Sequence, residues 1–241
     1  MNAIRNPGRS AGLLYLLLVL IAPYRLLVIP NMLFVHDDAA ATARNIATHE
    51  MLFRLGMVSD LCCAVLLVFL TLALYRLFEG VDRKLAVLVV ILGGVMPALI
   101  DFFNVLNDAG ALIFARGFDA GFLAAFDKPQ RDAFAMLFLR LHYQVILGAE
   151  ILWGLWLFPL GMLAYRSRML PRFLGVWLIL NGFAYLAQSL VGLLLPRYDG
   201  AFSNVLLPIQ LGEVAFMLWL VVMGVKQQPR LDVPGARGAM A

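Results

Sequence analysis

The chain has 241 residues, of which 63% are hydrophobic and only 14% carry a charge. Soluble domains are nearer half apolar and a quarter charged, so this composition excludes an ordinary soluble domain and predicts an integral membrane protein. The net charge of +4 does not indicate nucleic-acid binding, because the basic residues cluster at the ends of apolar segments, as in other membrane proteins.

Six apolar stretches follow one another along the chain, and each is long enough to cross a bilayer, which takes about 20 residues. In chain order we place them at residues 11–34, 51–77, 85–108, 137–165, 173–195 and 202–225. The predicted fold class is therefore all-α, a polytopic bundle of six transmembrane helices. A length of 241 residues leaves no room for a second folded domain.

Basic residues set the expected orientation of the bundle. The second connection carries Arg76, Arg83 and Lys84, and the fourth carries Arg166 and Arg172, whereas the odd-numbered connections mix both signs or are acidic. Loops rich in lysine and arginine stay in the cytoplasm, so both termini are predicted to be cytoplasmic. We expect residues 1–10 to form a cytoplasmic N-terminus, residues 11–225 the bundle, and residues 226–241 a flexible cytoplasmic tail.

Four acids lie inside these apolar stretches: Asp60, Asp101, Glu150 and Glu213. A charged side chain at the centre of a bilayer costs roughly 2.5–3.5 kcal/mol on insertion scales, so such residues face the interior of a bundle and usually mark a functional site. Counted inward from the outer ends of the helices, the four acids lie at nearly the same depth. Aligned depth on four different helices predicts one shared cavity in the outer half of the bundle.

Other polar and aromatic side chains lie close to the same level or on the same helical faces. The residues that we expect to contact a substrate are Arg25, Arg54, Asn104, His142, Trp153, Tyr185, Gln188 and Gln210. Arg25, Arg54 and His142 are the expected partners of the acids, and the aromatic rings can hold a cationic group. The opposing interpretation is that these groups only join the helices to one another through interhelical hydrogen bonds.

No cofactor and no metal are expected. The sequence has three histidines and contains no HxxH, HxxxH or ExxH pair, so a histidine-based metal centre or a haem has no support. The four acids with His142 remain a weak candidate set for a divalent ion. Nucleotide-binding loops and serine elbows are also absent from the sequence.

Several short blocks, spread from residue 10 to residue 225, carry a resemblance to a known family. They include Arg54-Leu55-Gly56, Tyr165-Arg166-Ser167, Leu170-Pro171-Arg172 and Leu211-Gly212-Glu213. In this order the blocks resemble a bacterial family of six-helix membrane proteins, the domain-of-unknown-function family 4386. The resemblance implies a multi-pass protein of the bacterial cytoplasmic (inner) membrane, and it implies no activity.

The leading functional hypothesis is a small intramembrane enzyme that cyclises, isomerises or hydrates a lipophilic, isoprenoid-like substrate. Asp60 and Glu150 would handle the proton, Asp101 and Glu213 would stabilise charge, and Arg54 and His142 would tune them. One alternative is a binder or proton-coupled carrier of a hydrophobic or cationic small molecule. Another is a helper subunit without chemistry. The expected partners are the lipid bilayer and a lipophilic small molecule, and the sequence gives no oligomeric state.

Overall fold

A computed structural model describes residues 6–117 and 121–225, and every regular element in these ranges is a helix. Six helical segments are long and apolar enough to cross a membrane, as predicted. We call them spans 1 to 6, and they are Pro7–Leu33, Glu50–Phe78, Arg83–Arg116, Lys128–Arg166, Arg172–Leu194 and Pro196–Val222. The all-α, six-span architecture expected from the sequence is thereby confirmed.

Three of the spans are interrupted helices. Span 1 consists of Pro7–Pro23 and Ile29–Leu33 around a π-helical turn, Tyr24–Val28, and span 3 consists of Arg83–Val90 and Met96–Arg116 around the π-helical turn Ile91–Val95. Span 4 consists of Lys128–Leu155 and Leu157–Arg166, which meet at Trp156. Spans 2, 5 and 6 contain the unbroken helices Glu50–Phe78, Arg172–Leu194 and Asp199–Val222, the last preceded by the short 3₁₀ turn Pro196–Tyr198.

Prolines explain these interruptions. A proline lacks the N–H that would bond one turn back and collides with the carbonyl there, so Pro30, Pro97 and Pro159 each loosen the helical turn that precedes them. Glycines in the turn of span 3 serve packing instead. A side chain at Gly93 would collide with the indole of Trp156, and one at Gly94 with Thr71.

The six spans form a closed ring in sequence order. Each span packs against the preceding and the following one, and span 6 returns to span 1. Spans 2 and 3 therefore lie across the ring from spans 5 and 6. Asn6 hydrogen-bonds the backbone of Val225, with its Nδ2 3.0 Å from the carbonyl oxygen, so the two ends of the bundle lie on the same face of the ring.

Two apolar clusters fill the ring at different levels. The larger lies toward the end that carries residues 6 and 225, and it includes Leu74, Leu163 and Phe216, all fully buried. The smaller lies toward the other end, around Phe53 and Ile46. Polar side chains of the spans are concentrated between these two clusters.

Three features differ from the expected elements, and the first is that span 4, placed at residues 137–165, begins at Lys128. Residues 39–48 were expected to belong to a connection, yet Ala39–Thr48 is a helix whose Asp38 side chain caps the backbone N–H of Ala41 at 2.8 Å. This helix could not be recognised from the sequence because its mean hydropathy is low. Only one of its faces, with Ile46, is buried, so most of its side chains are not large and apolar. Span 3 was expected to end at residue 108 but continues to Arg116, since Asp108 is buried inside the bundle rather than placed at an interface. The expected tail, residues 226–241, lies outside the described residues.

Candidate ligand cavity

A cavity of about 240 Å³ lies inside the ring, near the middle of most spans, and every span contributes to its wall. Most of the wall is apolar, with Leu18, Val19, Leu67 and Ile146 among the lining residues. The polar lining residues are Asp60, Asp101, Gln210 and Glu213, and the aromatic ones are Tyr15, Trp153, Trp156 and Tyr185. The cavity is thus an apolar chamber with three carboxylates in its wall.

Among the described residues, Asp101 differs from Asp60 and Glu213 in having no hydrogen-bond or ion-pair partner. Within residues 6–117 and 121–225, no side chain or backbone group hydrogen-bonds it or forms an ion pair with it. It lies on span 3, one helix from Asp60 on span 2, and both line the same chamber. An unpaired carboxylate in an apolar wall is costly unless something else supplies a proton or a positive charge.

Glu213 is held from span 1. The hydroxyl of Tyr15 donates a hydrogen bond to its Oε1, and the side chains of Tyr185 and Asn181 lie beside the same carboxylate. Tyr15 also packs against Trp156, with ring centroids 6.2 Å apart. The Tyr15–Glu213 contact closes the ring between spans 1 and 6 at the level of the cavity.

A buried ion pair lies next to the cavity. Arg25 donates from Nε to Oδ2 of Asp108 at 2.9 Å and from Nη2 to Oδ1 at 2.5 Å, which is a two-point pair between spans 1 and 3. Its Nε lies 4.0 Å from Oδ2 of Asp60. On the other side, Nδ1 of His142 lies 3.2 Å from Oδ1 of Asp108. Asn104 donates to the backbone oxygen of His142 at 3.3 Å and so joins spans 3 and 4 beside this pair.

The same cluster contains the only set of donor atoms, among the described residues, with the spacing of a metal site. Asp60, Asp108 and His142 each offer a ligand atom, and these atoms lie within 4.8 Å of one another. The guanidinium of Arg25 already contacts both oxygens of Asp108. Arg25 therefore supplies the positive charge that a metal would otherwise bring, and the arrangement fits a buried ion pair better than a metal centre.

Glu150 lies behind the cavity wall rather than on it. Gln210 donates from Nε2 to Gln188 Oε1 at 2.6 Å, and Gln188 donates from Nε2 to Glu150 Oε1 at 2.9 Å. Oε2 of Glu150 is buried and has no hydrogen-bond partner among the described residues. This chain links spans 4, 5 and 6 and fixes the amide of Gln210 at the cavity wall.

The structure brings together most of the predicted site residues, some on the cavity wall and others directly behind it. On the wall itself are Asp60, Asp101, Glu213, Gln210, Trp153 and Tyr185. Directly behind the wall are Arg25, Asn104, His142, Glu150 and Gln188. Arg54 does not belong to the site, because its side chain is 46% exposed and pairs with Glu50 at 2.6 Å near the end of span 2.

Three contributors were not among the predicted site residues. Tyr15 and Trp156 lie on the wall, and Asp108 holds Arg25 behind it. Trp156 lies near the level of the acids in the sequence, which was the available signal for it, whereas the sequence gives no signal for Tyr15. Asp108 shares a helical face with Asp101 at a spacing of two turns, and this spacing was the available signal.

The fold and the cavity define a multi-pass, all-helical membrane protein with a mainly apolar chamber, lined by three carboxylates, inside a ring of six spans. The chain belongs to the family described as Domain of unknown function (DUF4386), which matches residues 10–224. It is also similar to an uncharacterized protein of Archaeoglobus fulgidus, with 29% identity over 96 residues. That match covers 40% of this chain and 56% of the relative, so the chain spans little more than half of the relative's length. No solved structure matches the chain.

Proposed function

We propose that the cavity binds a lipophilic small molecule that carries a positive charge. The observation that supports this most directly is an excess of acids over bases at the cavity. Asp60, Asp101 and Glu213 line the chamber. Arg25, the one fully buried arginine among the described residues, forms its ion pair with Asp108, which does not line the chamber. A cationic ligand would supply the missing positive charge.

The remaining wall suits the same class of ligand. Trp153, Trp156 and Tyr185 offer π faces, which attract cations with about 0.5–2 kcal/mol depending on desolvation. Drug-sized ligands occupy pockets of about 300–1,000 Å³. A chamber of about 240 Å³ is smaller, so it suits a compact charged group with a modest apolar body, and a long isoprenoid chain would extend beyond it.

The test is a binding measurement on the purified protein in nanodiscs of zwitterionic lipid. We use benzyltrimethylammonium as the cationic probe and neopentylbenzene, which has carbon in place of the charged nitrogen, as its uncharged isostere. Calorimetric titration is expected to show one site for the cation and much weaker binding of the isostere. Asp101→Asn is expected to weaken cation binding by at least about tenfold, because a buried charge contact is lost.

The matched control is Glu79→Gln, which makes the same kind of change at an exposed acid between spans 2 and 3. It should leave the affinity for benzyltrimethylammonium unchanged. Equal binding of the cation and its isostere, or unchanged binding by Asp101→Asn, would refute the proposal.

Acid/base catalysis on a lipophilic substrate is the second candidate, and one observation favours it. Glu213, bound to a tyrosine hydroxyl, lies across the ring from Asp60 and Asp101, so a molecule in the chamber would have carboxyl groups on two opposite sides. Such an arrangement would let one carboxyl group donate a proton and another accept one, as in cyclisation, isomerisation or hydration through a cationic intermediate. Lipid extracts of cells that express the protein, Asp60→Asn or Glu150→Gln should then differ in their products. Identical extracts would remove this candidate.

A proton-coupled carrier has less support, because a carrier must open the site to both sides of the membrane. The larger apolar cluster closes the chamber toward the end that carries residues 6 and 225. The test is uptake of benzyltrimethylammonium into proteoliposomes. Uptake driven by a pH gradient would make a proton-coupled carrier the leading function, ahead of a binder or an enzyme. A helper subunit without a ligand has the least support, because the chamber wall includes Asp101, an acid with no partner among the described residues.

We further propose that the protein lies in the bacterial inner membrane with the basic connections in the cytoplasm. Arg83, Arg166 and Arg172 all lie at the end of the bundle that carries residues 6 and 225, which supports cytoplasmic termini. Residues 226–241 would then form a cytoplasmic tail.

A further inference from the structure

Arg25 is shared unequally between two carboxylates. It contacts Asp108 through two nitrogens, at 2.5 and 2.9 Å, whereas its closest approach to Asp60 is 4.0 Å. Only one of these acids meets the chamber, since Asp60 lines the wall and Asp108 does not. The side chain of Asp108 is completely buried, and that of Asp60 is 16% exposed.

The guanidinium is confined by apolar neighbours as well as by its acids. It lies 5.9 Å from the ring centre of Phe53 and 5.8 Å from that of Phe34, and its stem passes close to Gly56. It therefore cannot escape to water, and it has to pair with one of the two acids or with both. A normal N–H···O hydrogen bond is about 2.9 Å long, so a shift of about 1 Å would bring Arg25 into full contact with Asp60.

We infer that Asp108 is a positioning residue, which holds Arg25 away from Asp60 and thereby leaves the charge of Asp60 available to a cation in the chamber. This inference rests on the proposed function and deepens it, because it assigns cation affinity to a residue that does not touch the ligand. His142, 3.2 Å from Asp108 on the side of span 4, and Asn104 keep the far side of the pair in place.

The inference predicts opposite effects for a single and a double substitution. In Asp108→Asn, Arg25 loses its charged partner, moves to Asp60 and neutralises it, so the affinity for benzyltrimethylammonium should fall by at least about tenfold. In the double variant Arg25→Met with Asp108→Asn, one positive and one negative charge are removed together. No cation is then left to neutralise Asp60, and the affinity should return to the wild-type value.

The experiment measures benzyltrimethylammonium binding by calorimetry to full-length wild type, both variants and Glu79→Gln, all in nanodiscs of zwitterionic lipid. Recovery in the double variant is the decisive readout, because a purely structural role for Asp108 would leave the double variant as weak as the single one or weaker. A double variant that binds at least tenfold more weakly than wild type overturns the inference. This comparison stands even where Asp108→Asn alone does not fold.

The outcomes separate this inference from the proposed function. Wild type that does not bind the cation refutes the proposed function itself. Wild type that binds, together with an Asp108→Asn variant that binds equally well, overturns only the role of Asp108.

Discussion

The hydroxyl of Tyr15 is the donor through which span 1 holds Glu213 of span 6. Replacement by phenylalanine keeps the ring against Trp156 and removes only the hydrogen bond. Tyr185 and Asn181 stay beside the carboxylate, so the loss of this one hydrogen bond should cost about 0.5–1.5 kcal/mol, and Tyr15→Phe should lower the thermal midpoint of the protein in detergent by a few degrees. The measurement is the loss of monodisperse protein on heating.

Tyr165→Phe is the matched control for this change. Tyr165 lies at the end of span 4, away from the cavity, and contacts Arg172 through its ring, which phenylalanine retains. Its midpoint should equal that of wild type. A Tyr15→Phe protein as stable as this control would show that the contact with Glu213 contributes nothing to stability.

At the scale of single residues, the acids and amides on the wall could be predicted, and their connections could not. A carboxylate in an apolar stretch must turn away from lipid, so Asp60, Asp101 and Glu213 were expected to face inward, and they do. Asn107 and Asp108 together resemble the polar end of a span, which concealed the burial of Asp108. Arg25 pairs with Asp108 rather than with Asp60 because of differences of about 1 Å in the distances between helices. No sequence pattern encodes such differences.

At the scale of elements, glycines determine how closely spans 4 and 5 approach each other. A Cβ added at Gly154 would lie 2.7 Å from the carbonyl oxygen of Gly182, and one at Gly161 would lie 2.7 Å from that of Gly175. The two spans therefore touch through their backbones at two levels, as small residues permit in membrane bundles. This contact supports the wall that carries Trp153 and Tyr185.

Gly154→Val should separate the two spans and prevent assembly of a stable bundle. The control lies in the same helix, because Gly148 has nothing within 4 Å of an added Cβ. Gly148→Val should yield monodisperse protein at close to the wild-type level, whereas Gly154→Val should aggregate or be degraded. Size-exclusion chromatography of equal amounts of membrane provides the comparison, and equal yields of the two variants would contradict the role given to this crossing.

The long helices could be predicted from the amino-acid composition of the chain, and the short ones could not. The six spans are recognisable because about 20 consecutive apolar residues have no other common explanation. The helix Ala39–Thr48 carries only a few buried side chains and lacks this signal. The π-helical turns of spans 1 and 3 depend on packing between spans as well as on Pro30 and Pro97, so their exact places could not be predicted.

At the scale of the whole molecule, the even number of spans and the contact between Asn6 and Val225 place both ends of the bundle on one face. The distribution of arginine and lysine predicts that this face is cytoplasmic. A fluorescent protein fused after residue 225 should therefore fluoresce, and alkaline phosphatase inserted between residues 117 and 127 should be active in the periplasm. An inactive phosphatase at that position, together with an active one at the C-terminal end, would reverse the orientation.

Cys63 lies in the wall of the chamber proposed to bind a lipophilic cation, whereas Cys62 is exposed on the bundle, so Cys63 can report whether the chamber is occupied. In a Cys62→Ala protein in nanodiscs, Cys63 is the only thiol left for alkylation by N-ethylmaleimide. Benzyltrimethylammonium should slow this alkylation, neopentylbenzene at the same concentration should not, and Asp101→Asn should abolish the protection. Absence of protection by the cation, or equal protection by the uncharged isostere, would contradict the account.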